Sequence, residues 1–380
     1  MKRLANGIAI LAATCLLAGG TSAAAEEIET VAKQAYIIDL TTHTVLLEKN
    51  ADERMPPASM SKLMTVYLLF ERLKKGALKM EDTFAVSENA WRKGGSKMFV
   101  KIGDRISIHD LLRGIIVQSG NDACIVVAEG IAGTEEAFAD QMTKKGKELG
   151  LTGSTFRNST GWPDPDHRMT AHDLAILSQR LIEDFPEYYP IFREIDFTYN
   201  GIKQGNRNPL LYQNLGADGL KTGHTENAGY GLTASAVRDG RRIVMVLNGM
   251  TRMKERSQES ARLIDWAFRT FDAYTFFKKG EEITKADVWL GVEKEVPLLI
   301  PQEIRLTLSR TARAGFAAKV KMKNPVAAPI AKGTQLGTLI VTAPGFKTME
   351  IPLVAGADAH QLGFMGRLGA AINHVIWGSS

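Results

Sequence analysis

The chain has 380 residues, 44% of them hydrophobic and 23% charged, which suits a globular protein of two domains with room for a third. These proportions exclude a disordered chain, a collagen-like repeat and a coiled coil, and two cysteines exclude a disulfide scaffold or a Cys-rich zinc module. The net charge of +5 is modest, and no basic stripe with interleaved aromatics points to nucleic acid.

The N-terminus reads as a secretory signal over residues 1–25. Lys2 and Arg3 are its charged region, Ile8 to Gly19 its apolar region, and Ala23-Ala24-Ala25 its small-residue cleavage site before Glu26. A retained anchor helix is the alternative; the closing small residues and the acids that follow favour cleavage. Cys15 lies inside the apolar region, which does not suit lipoprotein processing. Cleavage places the mature chain outside the cytoplasm. It also lowers the formal charge to +3, because Lys2 and Arg3 leave and no acid does. Cys124 is then the one cysteine left, so no intrachain disulfide is possible, and its apolar neighbours Ala123, Ile125 and Val126 predict a buried, inert thiol. No mature segment reaches the ~18 consecutive apolar residues of a membrane span.

Tyr36 to Leu40 and Thr44 to Leu47 predict a β-hairpin with Thr41, Thr42 and His43 in its turn. Met55-Pro56-Pro57-Ala58 stops extended chain, and Ser59 then opens a helix through Leu63, Val66, Leu69 and Phe70. Leu111 to Val117 and Ala123 to Ile131 predict two apolar helices parted by a tight Gln118-Ser119-Gly120-Asn121 turn. Gly94-Gly95-Ser96-Lys97 predicts a mobile loop. Asp173 to Ile182 is a further helix, Gly219 to Thr222 and Gly229 to Val237 are neighbouring strands, Ile243 to Leu247 is a wholly apolar strand, and Arg256 to Phe271 is helical. From Ile283 onward the chain holds short β-type runs at about ten-residue spacing, expected as a small all-β sandwich after a Lys278–Glu282 linker. The domains are thus expected at 26–275 and 280–356. Residues 358–380 follow as an amphipathic tail, with Phe364, Met365, Leu368, Ile372 and Ile376 near one helical face. That tail suits either a helix lying in a membrane interface or a terminal helix packed on its own domain.

Three short motifs could carry chemistry: Ser59-Met60-Ser61-Lys62, Ser119-Gly120-Asn121 and Lys221-Thr222-Gly223. Alone, each has a plain reading as a helix cap, an inter-helix turn or an amphipathic strand. Together, in this order and in these contexts, they match an active site for serine acyl transfer. Ser59 and Lys62, three apart on a helix, share a face, so the amine reaches the hydroxyl. A serine is a weak nucleophile until a base takes its proton, and Lys62 serves if burial and a second cation lower its pKa; Lys221 is the natural second cation. Ser119 offers a hydroxyl to relay a proton and Asn121 an amide to hold a peptide group. Lys221 and Thr222 suit a carboxylate, and Gly223 lets a substrate backbone approach the strand.

The joint pattern resembles the D-alanyl-D-alanine carboxypeptidases among the low-molecular-mass penicillin-binding proteins. Pro56 to Thr65, Gly205-Asn206-Arg207-Asn208, Asp218 to Thr225, and Arg256 with Glu259-Ser260 all resemble family segments. The resemblance implies an α/β catalytic domain of β-lactamase/transpeptidase-like type, with helices around an antiparallel sheet, followed by the β sandwich and the C-terminal amphipathic helix. It implies Ser59 as nucleophile, Lys62 as base and Ser119 on the proton path. It implies Asn121 and Gly223 beside the substrate, and Lys221, Thr222 and Arg256 on the terminal carboxylate. The backbone N–H groups of Ser59 and His224 would form the oxyanion hole. The implied partners are peptidoglycan stem peptides ending in D-Ala-D-Ala and β-lactams, with no metal or other cofactor. The implied location is the periplasm, on the outer face of the inner membrane through residues 358–380.

A class A β-lactamase shares two of the motifs, but here Gly120 stands in the second motif where Asp is expected, and no glutamate between Asn121 and Lys221 has a Glu-x-x-Leu-Asn setting. A catalytically idle scaffold would have lost the nucleophile, base or carboxylate clamp, and all are present. An endopeptidase or transpeptidase on the same scaffold stays open, because cleft shape decides which acceptor enters. A metal peptidase has little support: His-Glu-x-x-His is absent, and Asp164, Asp166, His167, His172 and Asp173 read as a polar loop and a helix cap.

Overall fold

The computed structural model describes residues 28–369. The expected leader and residues 370–380 of the expected tail lie outside the described residues. β1 (Gln34–Asp39) and β2 (Thr44–Lys49) form the first hairpin, and a 3-10 turn over Ala58–Ser61 leads into α1 (Lys62–Lys74). β3 (Thr83–Ala85), α2 (Glu88–Arg92) and β4 (Arg105–Ser107) make a small excursion before α3 (Ile108–Ile116), α4 (Asn121–Ala132) and α5 (Glu135–Glu148). α6 (Ala171–Asp184) and a ribbon of β5 (Asp196–Tyr199) and β6 (Ile202–Gly205) come next. β7 (Ala217–Thr225), β8 (Gly229–Arg238), β9 (Arg241–Met250) and α7 (Met253–Thr270) close the unit.

The helices start where polar caps allow. Ser107, Thr134 and Thr170 each accept a backbone N–H three residues on, and each helix carries an acid in its first turn. The sheet runs β2-β1-β9-β8-β7, with every neighbour antiparallel. It is covered on both sides. Val244 and Val246 face the core built from α1, α3, α4 and α6, whereas Ile243, Met245 and Leu247 pack with Leu263, Ile264 and Ala267 of α7. A strand buried on both faces has no polar side, which explains the unbroken apolar run in β9. β7 is left at an edge, and that edge borders the cleft.

The second unit comprises β10 (Phe271–Phe277), β11 (Glu282–Trp289), β12 (Glu295–Leu299), β13 (Ile304–Ser309), a one-turn α8 (Arg310–Ala314), β14 (Ala317–Met322), β15 (Val326–Ala327), β16 (Gln335–Thr342) and β17 (Met349–Ala355). Six strands form a sheet in the order β14-β16-β17-β12-β11-β15, and β10 pairs with β13 as a separate ribbon. Val296, Leu298, Leu306, Leu339, Ile351 and Leu353 share its core. The segment read as a linker is instead a tight turn between two strands of this unit. Lys278 N donates to Glu281 Oε2 at 2.8 Å and Gly280 N to the Ile300 carbonyl at 2.8 Å. The β10–β13 ladder therefore assigns residues 271–277 to the second unit.

Residues 358–362, read as the start of the tail helix, are extended here. Ala359 bridges Ile330 and Gln361 bridges Gly291, and helix is present at 364–369. Phe364 and Met365 are 73% and 76% exposed, with Leu368 on the same side. Among the described residues no helix is long and apolar enough to cross a membrane.

The two units meet at a buried carboxylate. Asp39 Oδ2 accepts from Arg241 Nε at 3.0 Å and from Thr307 Oγ1 at 2.8 Å, while Oδ1 accepts from Thr41 N at 2.8 Å. Asp39→Ala leaves Arg241 without its partner in this site and is expected to cost about 3–5 kcal/mol, read as a lowered urea midpoint. Asp39→Asn, which keeps the oxygen for Thr41, should cost less.

Candidate active site

The first two motifs converge on one ammonium. Pro56 and Pro57 turn the chain, and Ala58 takes the left-handed conformation (φ 49°) that starts the 3-10 turn. Ser59 stands in that turn, half-buried, and Lys62 follows as the first residue of α1. Lys62 is fully buried. Its Nζ donates to Ser59 Oγ at 2.8 Å, Asn121 Oδ1 at 2.7 Å and the Thr160 carbonyl at 2.5 Å. An ammonium has three N–H groups, and these three acceptors use them all. Among the described residues no carboxylate forms an ion pair with it. Burial pushes its pKa down to about 8, with Arg207 and Lys93 as the cations that add to the effect. Lys221, expected in that part, is instead itself depressed well below the usual lysine value, by burial first and by Lys62 next. Burial pushes the neighbouring Cys124 thiol up to about 12, which keeps it neutral.

The second motif is a corner between α3 and α4. Ser119 is buried with φ 60°, and Asn121 opens α4. Asn121 is a junction. Beyond its bond to Lys62, its Nδ2 donates to the Gly94 carbonyl at 2.8 Å and its backbone N to the Ser96 carbonyl at 2.7 Å. One of the amide hydrogens expected for substrate is thus engaged by the 94–97 loop. That loop is not loose. The buried carboxylate of Asp122 accepts from Met98 N, Phe99 N and Val100 N at 2.9, 2.9 and 3.2 Å. Gln204 Nε2 donates to the Lys97 carbonyl at 3.0 Å, and Arg207 Nη1 to Ser96 Oγ at 2.5 Å.

The third motif lies on β7. Lys221, Thr222 and Gly223 are buried. Gly223 faces the nucleophile's turn: a Cβ there would sit 2.8 Å from the Pro57 carbonyl oxygen. Its lack of a side chain therefore serves the approach of β7 to the Ser59 turn, where the sequence suggested approach of a substrate. The exposed His224 stacks on Tyr230 with ring centroids 3.8 Å apart. Arg256 projects from α7 over the same ring, 5.7 Å from its centroid, and its buried Nε has no hydrogen-bond partner. Arg207 and Arg256 both push the Lys221 pKa further down. Positive charge gathered in this way attracts anions.

A cleft of about 520 Å3 joins these parts, with Ser59, Ser96, Asn121, Trp162, His224 and Thr225 in its wall. Of the nine sequence-predicted site residues, Ser59, Asn121 and His224 line this cleft, and Lys62 reaches it through its bonds to Ser59 and Asn121. Sequence reasoning missed Thr160, which contributes only a carbonyl oxygen, so no side-chain pattern marks it. It missed Asn158, whose Oδ1 accepts from the backbone N of Thr160, Gly161 and Trp162 and so aims that carbonyl. It missed Gly161, where φ is 75° and a Cβ would sit 1.9 Å from the Ala58 carbonyl oxygen. It also gave Asp122 and Arg207 no role, although both stand in or beside the motifs.

The sequence matches the D-alanyl-D-alanine carboxypeptidase family over residues 20–251 and the penicillin-binding protein 5 C-terminal domain over residues 271–361. The chain belongs to the D-alanyl-D-alanine carboxypeptidase family. It is 38% identical to the D-alanyl-D-alanine carboxypeptidase DacC of Escherichia coli over 377 residues, covering 96% of this chain and 94% of that protein. The structure of the carboxypeptidase DacD from Francisella tularensis superposes with a TM-score of 0.79 at 30% identity, covering 88% of this chain and 95% of that one. Penicillin-binding protein 5 from Haemophilus influenzae gives 0.76 at 34% identity, covering 88% and 99%. Membership makes the chain a serine-type peptidase and a penicillin-binding protein. It also agrees with the α+β unit and the β-rich unit that follows.

Asp122 acts on the site through the 94–100 loop and Asn121. Asp122→Asn puts an amide against N–H donors, and carboxypeptidase kcat is expected to fall by about tenfold or more. Circular dichroism should show the fold retained, and a full rate in this variant would remove the loop from the account.

Proposed function

We propose that the chain removes the terminal D-alanine from peptidoglycan stem peptides through an acyl-enzyme on Ser59. The observation that carries this reading is the 2.8 Å contact between Lys62 Nζ and Ser59 Oγ, in a buried setting where no carboxylate among the described residues forms an ion pair with the amine. The neutral amine of Lys62 takes the Ser59 proton as Oγ attacks the carbonyl of the penultimate D-alanine. The oxygen that gains charge is met by the backbone N–H groups of Ser59 and His224, each typically worth about 10²–10³ in rate. The C–N bond then breaks, and the leaving amino group takes a proton passed from Lys62 through Ser119. Lys221, Thr222 and Arg256 hold the terminal carboxylate meanwhile. Water attacks the ester, Lys62 accepts its proton and returns it to Ser59 Oγ as the C–O bond breaks, and the shortened peptide leaves with Ser59 and the neutral amine restored.

A β-lactam offers the same carbonyl and carboxylate in one molecule, so it acylates Ser59 as a substrate mimic. A secretory leader over residues 1–25 delivers the chain to the periplasm. The catalytic unit ends at Thr270, the β unit follows, and the tail from residue 358 lies on the outer face of the inner membrane. The exposed Phe364, Met365 and Leu368 support that attachment.

Free D-alanine released from diacetyl-L-Lys-D-Ala-D-Ala by protein lacking residues 1–25 tests the reaction. Ser59→Ala is expected to abolish release, and release that survives in that variant overturns the assignment of the nucleophile. The reactive form of Lys62 is the unprotonated one. Its pKa of about 8 makes kcat/KM rise with pH and reach half its plateau near that value. A rate that is flat between about pH 6 and 9 would argue against Lys62 as base.

A further inference from the structure

The six-stranded sheet of the second unit ends at β14, and no strand among the described residues pairs with its outer edge. That edge is open to solvent, with Ala317 to Lys321 all exposed. Free backbone N–H and C=O groups in such a row are a template for another strand. Pairing with β16 fixes which side chains share a face: Lys319 stands opposite Ile340, Val320 opposite Leu339 and Lys321 opposite Thr338. Lys319 and Lys321 therefore project from the outer face of the sheet, and Lys323 follows at the same spacing. Val320 projects from the other face, where Leu339 is buried.

The charge of this edge is one-sided. Lys319, Lys321 and Lys323 are exposed, and none forms an ion pair or side-chain hydrogen bond among the described residues. The first carboxylate met on their face is Glu350, which stands opposite Ile340 on β17. It is two strands in from the lysines, roughly 10 Å between backbones, so it would not meet a strand added outside β14. An open groove of about 520 Å3 is bordered by Lys321, Lys323 and Glu350. The apolar side of the edge is also incompletely covered, because Val320 is 36% exposed. A second copy of β14 is a poor occupant, since it would set ammonium against ammonium. A lipid surface is a poor one too. The tail leaves the unit at the opposite end of the sheet, where Ala359 bridges Ile330 and Gln361 bridges Gly291, beside β15 and β11. Five inter-strand spacings, roughly 24 Å, separate that end from β14.

We propose that the β14 edge is a docking strand for an extended segment of a partner protein in which acidic residues alternate with apolar ones. The segment adds to the sheet beside β14. Its carboxylates meet Lys319, Lys321 and Lys323, and its apolar side chains cover Val320. Backbone hydrogen bonds give the affinity, and the lysine row selects the partner. Docking here does not depend on the reaction at Ser59.

The test uses a fluorescein-labelled peptide, Thr-Glu-Val-Glu-Val-Glu-Val-Thr, and the protein lacking residues 1–25, with binding read by anisotropy. A second peptide carries Gln in place of every Glu and should bind about tenfold more weakly, as the loss of three cross-strand ion pairs implies. The double variant Lys319→Glu/Lys321→Glu should lose the acidic peptide to at least the same degree, with its circular dichroism melting curve unchanged. Hydrogen exchange of the amides within residues 317–322 should slow when the acidic peptide is bound. Equal affinity for the two peptides, or no binding of the acidic one at about 1 mM protein, overturns the docking site. Binding that leaves exchange in β14 unchanged overturns the added strand. Two further results also overturn it by giving the lysines to another occupant. One is adsorption to phosphatidylglycerol vesicles that the double variant loses while the peptide stays unbound. The other is a concentration-dependent dimer that the double variant loses.

Discussion

A lysine ammonium held wholly inside the protein, with no ion-pair partner among the described residues, organises this molecule. Burying such a charge is costly unless every N–H finds an acceptor, and the cost falls if the proton leaves. Lys62 meets the first condition through Ser59, Asn121 and Thr160. It approaches the second through a pKa of about 8. Each acceptor comes from a different stretch: the turn before α1, the start of α4, and the loop before α6. The geometry around one nitrogen thus fixes how three segments far apart in sequence must meet.

Much of the surrounding structure supports those acceptors. Asn158 aims the Thr160 carbonyl by gathering the N–H groups of the next residues. Gly161 exists because the Ala58 carbonyl leaves no room for a Cβ, and Gly223 because the Pro57 carbonyl does the same from the side of β7. Asp122 pins the loop that engages Asn121. The Asp122 carboxylate is thus spent on backbone N–H groups, and Lys221, Arg207 and Arg256 stand near one another beside β7. The sheet, apolar on both sides in β9, is the rigid base that keeps β7 at this distance from the serine turn.

The second unit is joined through a small number of polar contacts. Asp39, Arg241 and Thr307 tie the first hairpin to β13, and β10 follows α7 without an intervening linker. The unit is continuous with the chain's tail: residues 359 and 361 are bridged onto it, and the exposed apolar residues emerge from its end.

The order of the three motifs, the apolar run of β9 and the short spaced strands after Ile283 were all legible in the sequence, because each depends on local periodicity or on residue types at fixed spacing. The meeting of Ser59 with Lys62 was legible for the same reason: residues three apart at a helix start bring two side chains together wherever the helix lies. The strand character of Phe271–Phe277 was not legible, since it depends on a partner in β13, and neither was the extended start of the tail. Thr160 and Asn158 were invisible because a backbone carbonyl and its orienting amide carry no spacing rule. Which cation depresses Lys62, why Gly223 is glycine and where the 94–97 loop is tied were decided only by the tertiary structure. Coulombic and steric effects follow distance in space, and chain order does not supply that distance.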